Sequence, residues 1–378
     1  MSFTIPFNRP YVTGHETGLM ENAVARGHLS GDGHYTQRAS EIISDITTVP
    51  NVLLTTSCTH ALEMSALLLG IGEGDEVIMP SFTFVSCANA FVLRGARPVF
   101  VDIRADNYNI DETLIEDAIT TKTRAILVVH YAGVACEMDA ILDIASRHGL
   151  YIIEDTAHAL GGTYNGVKLG SIGSLGTLSF HETKNIQCGE GGALLITDDT
   201  FAERAEILRE KGTNRSRFFR GQVDKYTWVD VGSSFLPSDL LAAFLTAQLE
   251  SFGAIQAQRH AVWETYANSL GAWAAANGFQ LPDPGVSVGH TAHLFALLAP
   301  DLNQRQALIA HLGARGVQSV FHYVPLHSSP MGEALAPKTE LPVTDRISEQ
   351  LMRLPLFAGL HGSELDHIVD SVLSFSAQ

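Results

Sequence analysis

Long apolar runs are missing from this sequence, since none reaches the roughly 18 residues that a membrane-spanning helix needs. The first residues, Met1 to Pro6, lack a basic stretch followed by an apolar one, so we expect no signal peptide. Cysteine is scarce as well, and the four cysteines show neither a C-x-x-C pair nor the spacing of zinc ligands. We therefore predict reduced thiols, no bound metal, no membrane association and a cytoplasmic location.

Positive charge is also in short supply, because 24 Lys and Arg residues stand against 41 Asp and Glu, for a formal net charge of −17. Nucleic-acid-binding proteins usually carry a basic face, so this balance predicts no nucleic-acid partner. A small anionic substrate would be repelled at long range, and its binding site needs cations that are supplied locally.

The best local supply of cations is a basic segment, residues 204–225, which holds seven basic and three acidic residues. Its glycine, asparagine and serine content from residue 212 to 221 argues against a plain helix. The segment is either a solvated surface or a recognition site for a diphosphate or carboxylate. Its basic residues are Arg204, Arg209, Lys211, Arg215, Arg217, Arg220 and Lys225.

The rest of the chain up to residue 210 alternates apolar strands with helices. Unbroken runs such as Ile126–Val129 are typical of strands covered on both faces, so we predict an α/β fold with a doubly wound, mostly parallel sheet. Strands are predicted at 52–55, 76–79, 98–102, 125–130, 150–154, 176–178 and 192–198, and helices at 16–26, 61–69, 84–93, 111–119, 138–147 and 201–210.

The C-terminal third has a different pattern. An amphipathic run from Asp239 to about Leu270 predicts one or two helices that leave the large domain. An α+β tail follows, with strands at 291–298 and 317–323 and helices at 303–313 and 364–373. We therefore predict a large domain over residues 1–245 and a smaller C-terminal domain over 246–378, with the N-terminal segment packing on the smaller one.

Two polar residues at strand ends suggest chemistry. Asp155 directly follows an apolar strand, and Lys184 lies between another predicted strand and a glycine cluster. A partly desolvated lysine amine has a lowered pKa and becomes a nucleophile toward carbonyls, whereas a carboxylate is the expected partner of a pyridinium nitrogen. A lone loop lysine is most often an ordinary surface charge. The separation of 29 residues leaves room for one or two strands, and the pair together predicts a pyridoxal phosphate site.

A hydroxyl-rich turn, Ser57-Cys58-Thr59, follows the first strand and precedes an apolar helix. The free N–H groups and the dipole at a helix start favour an anion, although Ser and Thr also serve there as simple N-caps. Phe84 follows the second strand, where an aromatic ring either packs in the core or stacks on a flat ligand. These residues are candidates for binding the cofactor.

Four motifs give the chain a family resemblance: IEDTAH (153–158), SFHETKN (179–185), CGEGGA (188–193) and KGTNR (211–215). They resemble the DegT/DnrJ/StrS family of sugar-nucleotide aminotransferases, and the resemblance extends over nearly the whole chain. It implies fold type I of the pyridoxal-phosphate-dependent aminotransferases, with a seven-stranded sheet in the large domain. The KGTNR motif is similar to the branch that aminates C4 of dTDP-4-keto-6-deoxyglucose.

The resemblance also implies a role for each candidate residue. Lys184 would bind pyridoxal phosphate covalently and move the proton during transfer, and Asp155 would keep the ring nitrogen protonated. The other cofactor contacts would be Ser57, Cys58, Thr59 and Ser179 at the phosphate, His158 at the ring 3′-oxygen, and Phe84 over the ring face. His158 stands where glutamine is commoner in the family.

One stretch departs from the family pattern. Many relatives have an Asn-Tyr-Arg triplet where this chain has residues 234–236, and in them it reaches a neighbour's phosphate across a dimer interface. Here Ser233 or Ser234 would take that place in a homodimer, and no residue is assigned to the donor carboxylate. For the substrate, Tyr323 and His327 resemble residues at the site mouth, although a single histidine can equally be structural. Arg215 and Arg220 are the candidates for the diphosphate.

The activity implied by the resemblance is transamination of dTDP-4-keto-6-deoxyglucose with L-glutamate as donor, giving dTDP-4-amino-4,6-dideoxygalactose. Transamination at C3, or formation of the gluco product, is the alternative. A nicotinamide dehydrogenase would share the sheet, but no G-x-G-x-x-G opens a helix after a first strand. A non-catalytic sensor or the family's dehydratase branch, which has histidine at the lysine position, would not retain Lys184.

Overall fold

The computed structural model describes residues 3–283, 285, 288–336 and 339–377. Its helices are α1 (Glu16–Arg26), α2 (His34–Thr47), α3 (Cys58–Leu68), α4 (Ser86–Val92), α5 (Met138–His148), α6 (Ala202–Arg209), α7 (Arg215–Phe219), α8 (Asp239–Glu250), α9 (Phe252–Asn277), α10 (Leu302–Ala314), α11 (Pro330–Leu335), α12 (Pro342–Gln350) and α13 (Ser363–Leu373). Its strands are β1 (Asn51–Thr55), β2 (Glu76–Pro80), β3 (Arg97–Val101), β4 (Thr123–Val129), β5 (Tyr151–Asp155), β6 (Thr163–Tyr164), β7 (Val167–Lys168), β8 (Leu175–Ser179), β9 (Gly192–Ile196), β10 (Val288–Gly289), β11 (Phe295–Leu298), β12 (Val320–Phe321) and β13 (Leu351–Leu354).

Seven strands form the central sheet in the order β1-β9-β8-β5-β4-β2-β3. Strand β9 runs antiparallel to β1 and β8, and the other neighbouring strands are parallel. Every residue of β2 and the apolar residues of β4 are buried, as expected for strands that helices cover on both faces. The predicted α/β fold with a mostly parallel seven-stranded sheet is therefore confirmed.

The strand ends determine where polar residues gather. Strands β1, β5 and β8 end at the same edge of the sheet, at Thr55, Asp155 and Ser179. The antiparallel β9 begins there, and its Gly192 pairs with Ser179. Open α/β sheets bind ligands past the carboxyl ends of their strands, so this edge is where a site is expected.

The C-terminal region has its own sheet, in the order β11-β13-β12, and its own core with α9, α10 and α13. The N-terminal segment joins this core, because Ile5 is buried in it and forms a parallel bridge to Val317. The division into residues 1–245 and 246–378 stays a prediction, and α8 crosses residue 245 without a break.

One predicted helix is wrong. Residues 111–119 form two short 3₁₀ turns, Glu112–Leu114 and Glu116–Ala118. The Asp111 side chain accepts the N–H of Thr113 at 3.0 Å and begins the first turn. Of residues 111–119 only Ile115 is buried, so the stretch lacks the continuous apolar face from which a short α-helix draws most of its stability.

Two predicted strands are shorter than expected, since 291–298 contains only β11 and 317–323 only β12. Val317 pairs instead with Ile5, while Tyr323 leaves the sheet and lines a cavity described below. Helix α2 and strand β13 were not predicted. The buried face of α2 includes Thr36, Ala39 and Thr47, which are too small or polar to give a clear apolar period.

The structure was also searched for helices that could cross a membrane. Among the described residues, no single helix has the length and apolar composition to do so. Helices α8 and α9 satisfy the test only when taken together, and they are bent by 62° at their junction.

Candidate active site

A cavity of about 630 Å³ opens at the carboxyl edge of the central sheet. The loops after the sheet strands form one side of it, and β13 with the N-terminal segment forms the other. The predicted site residues that line it are Ser57, Cys58, Thr59, Phe84, Asp155, His158, Ser179, Lys184 and Tyr323.

The turn between β1 and α3 is built for an anion. Ser57 is the N-cap of α3, and its hydroxyl accepts the N–H of His60 at 3.1 Å. The N–H groups of Cys58 and Thr59 lie in the first turn, where a helix supplies no acceptor of its own. Gly192 packs so closely on this turn that a Cβ there would collide with the backbone of Ser57 and Cys58. The turn therefore keeps unpaired donors at a helix start, which suits a phosphate.

Asp155 ends β5 and is only 6% exposed. One carboxylate oxygen accepts the N–H of Ala157 at 3.0 Å, and the other accepts the Cys87 thiol at 3.0 Å. Burial, together with the charge of Asp155, raises the pKa of the Cys87 thiol well above its ordinary value, so the thiol stays protonated and can donate. The carboxylate is thus held in a fixed orientation at the cavity wall.

Lys184 lies in the turn that follows β8, where its N–H donates to the carbonyl of His181 at 2.9 Å. The side chain is half-buried at the cavity wall. Burial lowers the pKa of the Lys184 amine, while the negative charge of Asp155 opposes that shift. A lysine with a lowered pKa is a better nucleophile at neutral pH, so the environment suits the predicted role of Lys184.

His158 and His293 form a stacked pair, with ring centroids 4.0 Å apart and ring planes inclined by 18°. Burial lowers the pKa of both rings well below the usual range, so both are neutral at pH 7. His293 Nδ1 lies 2.8 Å from Asn185 Oδ1, whereas the buried His158 Nδ1 has no partner among the described residues. Buried polar atoms are usually hydrogen-bonded, so His158 leaves a position for a ligand atom.

Tyr323 closes the cavity from the C-terminal region. It packs edge-on against Phe82, with centroids 5.5 Å apart. Burial raises the pKa of Tyr323 well above its ordinary value, so its hydroxyl is protonated. The adjacent His322 also lines the cavity, and its Nδ1 lies 3.0 Å from the Tyr131 hydroxyl.

Two of the predicted residues lie outside the cavity lining and have other partners in the chain. The His327 ring bonds to Ser81 Oγ at 2.8 Å and lies 3.3 Å from an Asp345 carboxylate oxygen. Ser234 is exposed and forms an isolated bridge with Glu210. The roles predicted for His327 and Ser234 stay predictions.

The arginines of the basic segment also lie outside the cavity and have acidic neighbours. Arg220 pairs with Glu206 at 2.8 Å, and Arg215 lies 3.8 Å from Glu210. The sequence analysis considered only the acidic residues within the segment, but the fold also brings acidic residues from outside it close to these arginines. The further pairs are Arg204 with Asp230, Arg209 with Asp32, Lys211 with Glu210, and Arg217 with Glu203. The diphosphate contacts predicted for Arg215 and Arg220 stay predictions.

The cavity also contains residues that the sequence analysis missed, namely Phe7, Asn8, His293, His322 and Arg353. Asn8 Nδ2 donates to the carbonyl of Glu182 at 3.2 Å, which holds the N-terminal segment against the Lys184 turn. Arg353 is the one charged residue in the apolar run 351–356. That isolated charge was the only signal in the sequence that could have identified it.

With this geometry established, the chain can be compared with known proteins. The model of the DegT/DnrJ/EryC1/StrS aminotransferase family matches residues 11–373. The chain belongs to this family. The resemblance stated from the motifs is thereby confirmed.

Solved structures resemble the aminotransferase along almost all of its length. DesV from S. venezuelae is 30% identical, with a TM-score of 0.89, and the match covers 99% of this chain and 98% of that one. TlmJ from Streptoalloteichus hindustanus is 26% identical, with a TM-score of 0.90 and the same coverage. The sugar aminotransferase Spr1654 from Streptococcus pneumoniae, in its PLP form, is 27% identical, with a TM-score of 0.90 and coverage of 98% of both chains.

Two further observations on the aminotransferase concern its cysteines and metal binding. All four of its cysteines are free, and Cys58 lines the cavity. Over the residues that the structure describes, no group of three or more His, Cys, Asp or Glu side chains could hold a metal ion.

Proposed function

We propose that the chain transfers the amino group of L-glutamate to C4 of dTDP-4-keto-6-deoxyglucose, giving dTDP-4-amino-4,6-dideoxygalactose. The observation that carries the proposal is the convergence of Lys184, Asp155 and the start of α3 on one cavity. Family membership supports aminotransfer, and the sugar aminotransferase among the similar structures supports a sugar acceptor. The choice of C4 rests on the KGTNR motif at residues 211–215.

The cofactor is pyridoxal phosphate, and the residues present fit it. The α3 turn provides free N–H donors for a phosphate, and His158 has a buried, unpartnered nitrogen. The PLP form of a similar sugar aminotransferase confirms the prediction of this cofactor. When bound, pyridoxal phosphate supplies an electron sink that makes the carbon beside the transferred nitrogen acidic.

The protein's own residues have distinct tasks in this scheme. Lys184 would hold the cofactor covalently by condensing its amine with the cofactor's carbonyl group, with loss of water, and would move a proton at the reacting carbon. Asp155 would pair with the ring nitrogen and favour its protonated form. Ser57, Cys58, Thr59 and Ser179 would bind the phosphate. Phe84, which is 59% exposed at the cavity wall, would contact the ring.

The surface around Ser234 supports a homodimer. Tyr226, Trp228 and Val231, which are close together in the chain, are more than half exposed, and exposed large apolar side chains favour an interface. Residue 235 is anchored beside the cofactor turn, because its carbonyl accepts the N–H of Thr56 at 2.9 Å. In a two-fold dimer Ser234 would contact the partner's cofactor phosphate. A monomer that remains fully active at low concentration would contradict this arrangement.

The test is to incubate the purified protein with dTDP-4-keto-6-deoxyglucose and L-glutamate and to identify the product by NMR. We expect an axial amine at C4. An amine at C3, or an equatorial amine at C4, would establish the alternative regiochemistry or the gluco product. Absence of any amination would refute aminotransfer to this sugar.

A control experiment tests the cofactor assignment separately. Borohydride should fix pyridoxal phosphate to Lys184, as detected by peptide mapping, and Lys184→Ala should give neither the labelled peptide nor the product. A label on another lysine would show that the assignment of Lys184 is wrong. The cytoplasmic location stays a prediction.

A further inference from the structure

We propose that Arg353 binds a carboxylate of the amino donor, an inference that rests on the proposed function and deepens it. The sequence analysis assigned no residue to the donor carboxylate, and residues 234–236 contain no arginine. Arg353 lines the active-site cavity and comes from the opposite side, the C-terminal sheet.

The backbone holds Arg353 in a fixed position. It lies in β13, the central strand of its sheet, opposite Ala296 of β11 and Val320 of β12. Its guanidinium carbon sits 4.6 Å from the centre of the Phe7 ring, and Nη2 donates to the carbonyl of Phe321 at 3.2 Å. An arginine fixed in this way loses little conformational freedom when a ligand binds.

Over the part of the chain that the structure describes, Arg353 forms no ion pair with an acid. Its Nε is buried and has no partner among the described residues. Tyr323, the neutral rings of His158, His293 and His322, and the Lys184 amine line the same cavity, whose acidic residues Asp155 and Glu190 form no ion pair with Arg353 among the described residues. A partly buried cation without an acidic partner is favourably placed to bind an anion.

An unpartnered Nε does not by itself make an arginine a binding site, as two other arginines show. Arg209 has a buried, unpartnered Nε, but its Nη2 pairs with Asp32 at 2.5 Å. Arg305 also has a buried Nε without a partner among the described residues. It resembles Arg353 in two further contacts, since its guanidinium lies 5.7 Å from the centre of the Phe321 ring and donates to the carbonyl of Ser348. Arg305, however, does not line the cavity.

The neighbours of Arg353 indicate which anion it binds. Arg353 lines the same cavity as Lys184, His158, His293 and His322. Burial lowers the pKa of these four groups, and the charge of Arg353 adds to that effect. The cofactor phosphate already has the α3 turn, which supplies its own donors. An amino acid whose nitrogen reacts beside Lys184 carries a carboxylate one bond away from the reacting carbon. An arginine forks two N–H groups toward such a group.

The experiment measures the two halves of the reaction separately in wild type, Arg353→Gln and Arg353→Lys. Enzyme loaded with pyridoxal phosphate is mixed with L-glutamate alone, and 2-oxoglutarate is measured in a single turnover. Enzyme loaded with pyridoxamine phosphate is then mixed with the keto sugar alone. Arg305→Gln is the matched control, because it removes a similar arginine outside the cavity. Melting temperatures and cofactor spectra show whether each variant is folded.

We expect Arg353→Gln to raise the L-glutamate concentration at half-maximal rate by about ten- to a hundredfold, the usual effect of losing a charge-assisted contact. The limiting rate and the sugar half-reaction should change much less. Arg353→Lys should recover part of the loss, since it keeps the charge but not the fork. If Arg353→Gln does not fold, Arg353→Lys decides the question by a smaller shift in the same direction.

Comparing two amino donors identifies which carboxylate Arg353 binds. If Arg353→Gln raises the half-saturating concentration equally for L-alanine and L-glutamate, the arginine binds the carboxylate next to the amine. If the rise occurs with L-glutamate alone, it binds the distal carboxylate. The proposal would be overturned if Arg353→Gln left the half-saturating concentration of L-glutamate unchanged. It would also be overturned if the substitution affected only the half-reaction with the keto sugar. If wild-type enzyme forms no 2-oxoglutarate, the proposed function itself fails, whatever the variants show.

Discussion

Arginine has opposite surroundings in two regions of this molecule. In the basic segment, residues 204–225, the cations are numerous, mostly exposed and paired with acids, as Arg220 is with Glu206 at 2.8 Å. In the active-site cavity, Arg353 is the one charged residue of an apolar stretch, and its Nε has no partner in the described part of the chain. The two regions differ in whether the fold places an acid beside the cation. A cation without an acid, in a place that a ligand can reach, is the stronger candidate for binding an anion.

The largest effect that would test this contrast is expected within the cavity, from Asp155→Asn. The substitution keeps the shape of the side chain but removes the charge that stabilises a protonated ring nitrogen, so we expect turnover to fall by about 10²- to 10⁴-fold. The fold and much of the bound cofactor should remain, as judged by circular dichroism and the cofactor spectrum. Asp143→Asn, which removes an exposed partner of Arg147, is the control. Activity within a few-fold of wild type would remove the role given to Asp155.

A second effect concerns the neutral histidines of the cavity. Burial depresses the pKa of His158, His293 and His322, so below about pH 6.5 the unfolded chain takes up protons that the folded chain does not. Their contribution to stability is complete above about pH 6.5 and is lost as the pH falls below it. The loss is up to about 1.4 kcal/mol per pH unit for each ring.

Urea unfolding between pH 7 and pH 5 measures this loss. We expect His293→Asn to reduce the dependence of the unfolding free energy on pH, because one of the three rings no longer titrates. His367→Asn, an exposed histidine, should leave the dependence unchanged. Equal slopes in wild type and His293→Asn would mean that His293 takes up protons equally in the folded and unfolded states, which would contradict a lowered pKa.

The smallest effect is expected in the basic segment. The double variant Arg215→Gln, Arg220→Gln should raise the KM for the nucleotide-sugar by no more than about tenfold, because Glu210 and Glu206 already compensate these charges. Steady-state kinetics at constant glutamate measures it, with Arg217→Gln as a neighbouring control. A rise in this KM well above tenfold would show that the segment binds the diphosphate directly, and the contrast between the basic segment and Arg353 would no longer hold.

The sequence predicted best what depends on local pattern. Asp155 and Lys184 were found because each follows an apolar strand, and the edge of a parallel sheet brings such ends together. The α3 turn was found from its hydroxyls, since a helix start exposes N–H groups wherever it occurs. These signals are contained within a few neighbouring residues.

What the sequence could not predict depends on distant partners. The role proposed for Arg353 depends on its contact with Phe7 and on the cavity that it shares with His158 and His293, and none of these residues lies near it in the chain. Three ion pairs of the basic segment could not be predicted from the segment itself, because the acidic partners Asp32, Glu203 and Asp230 lie outside it. The false helix at 111–119 has the same origin, because the rest of the fold fully buries only Ile115 within it.

The attachment of the N-terminal segment has a consequence for protein synthesis. Ile5 bridges to Val317, and the N–H of Phe7 donates to the side chain of Gln318, 311 positions further along the chain. On the ribosome the first residues made therefore wait until most of the polypeptide has emerged before they reach their native partners. Chains begin to fold during synthesis. The central sheet can thus form while the nascent chain is still attached, but the cavity wall that contains Phe7 and Arg353 is completed only at the end of translation.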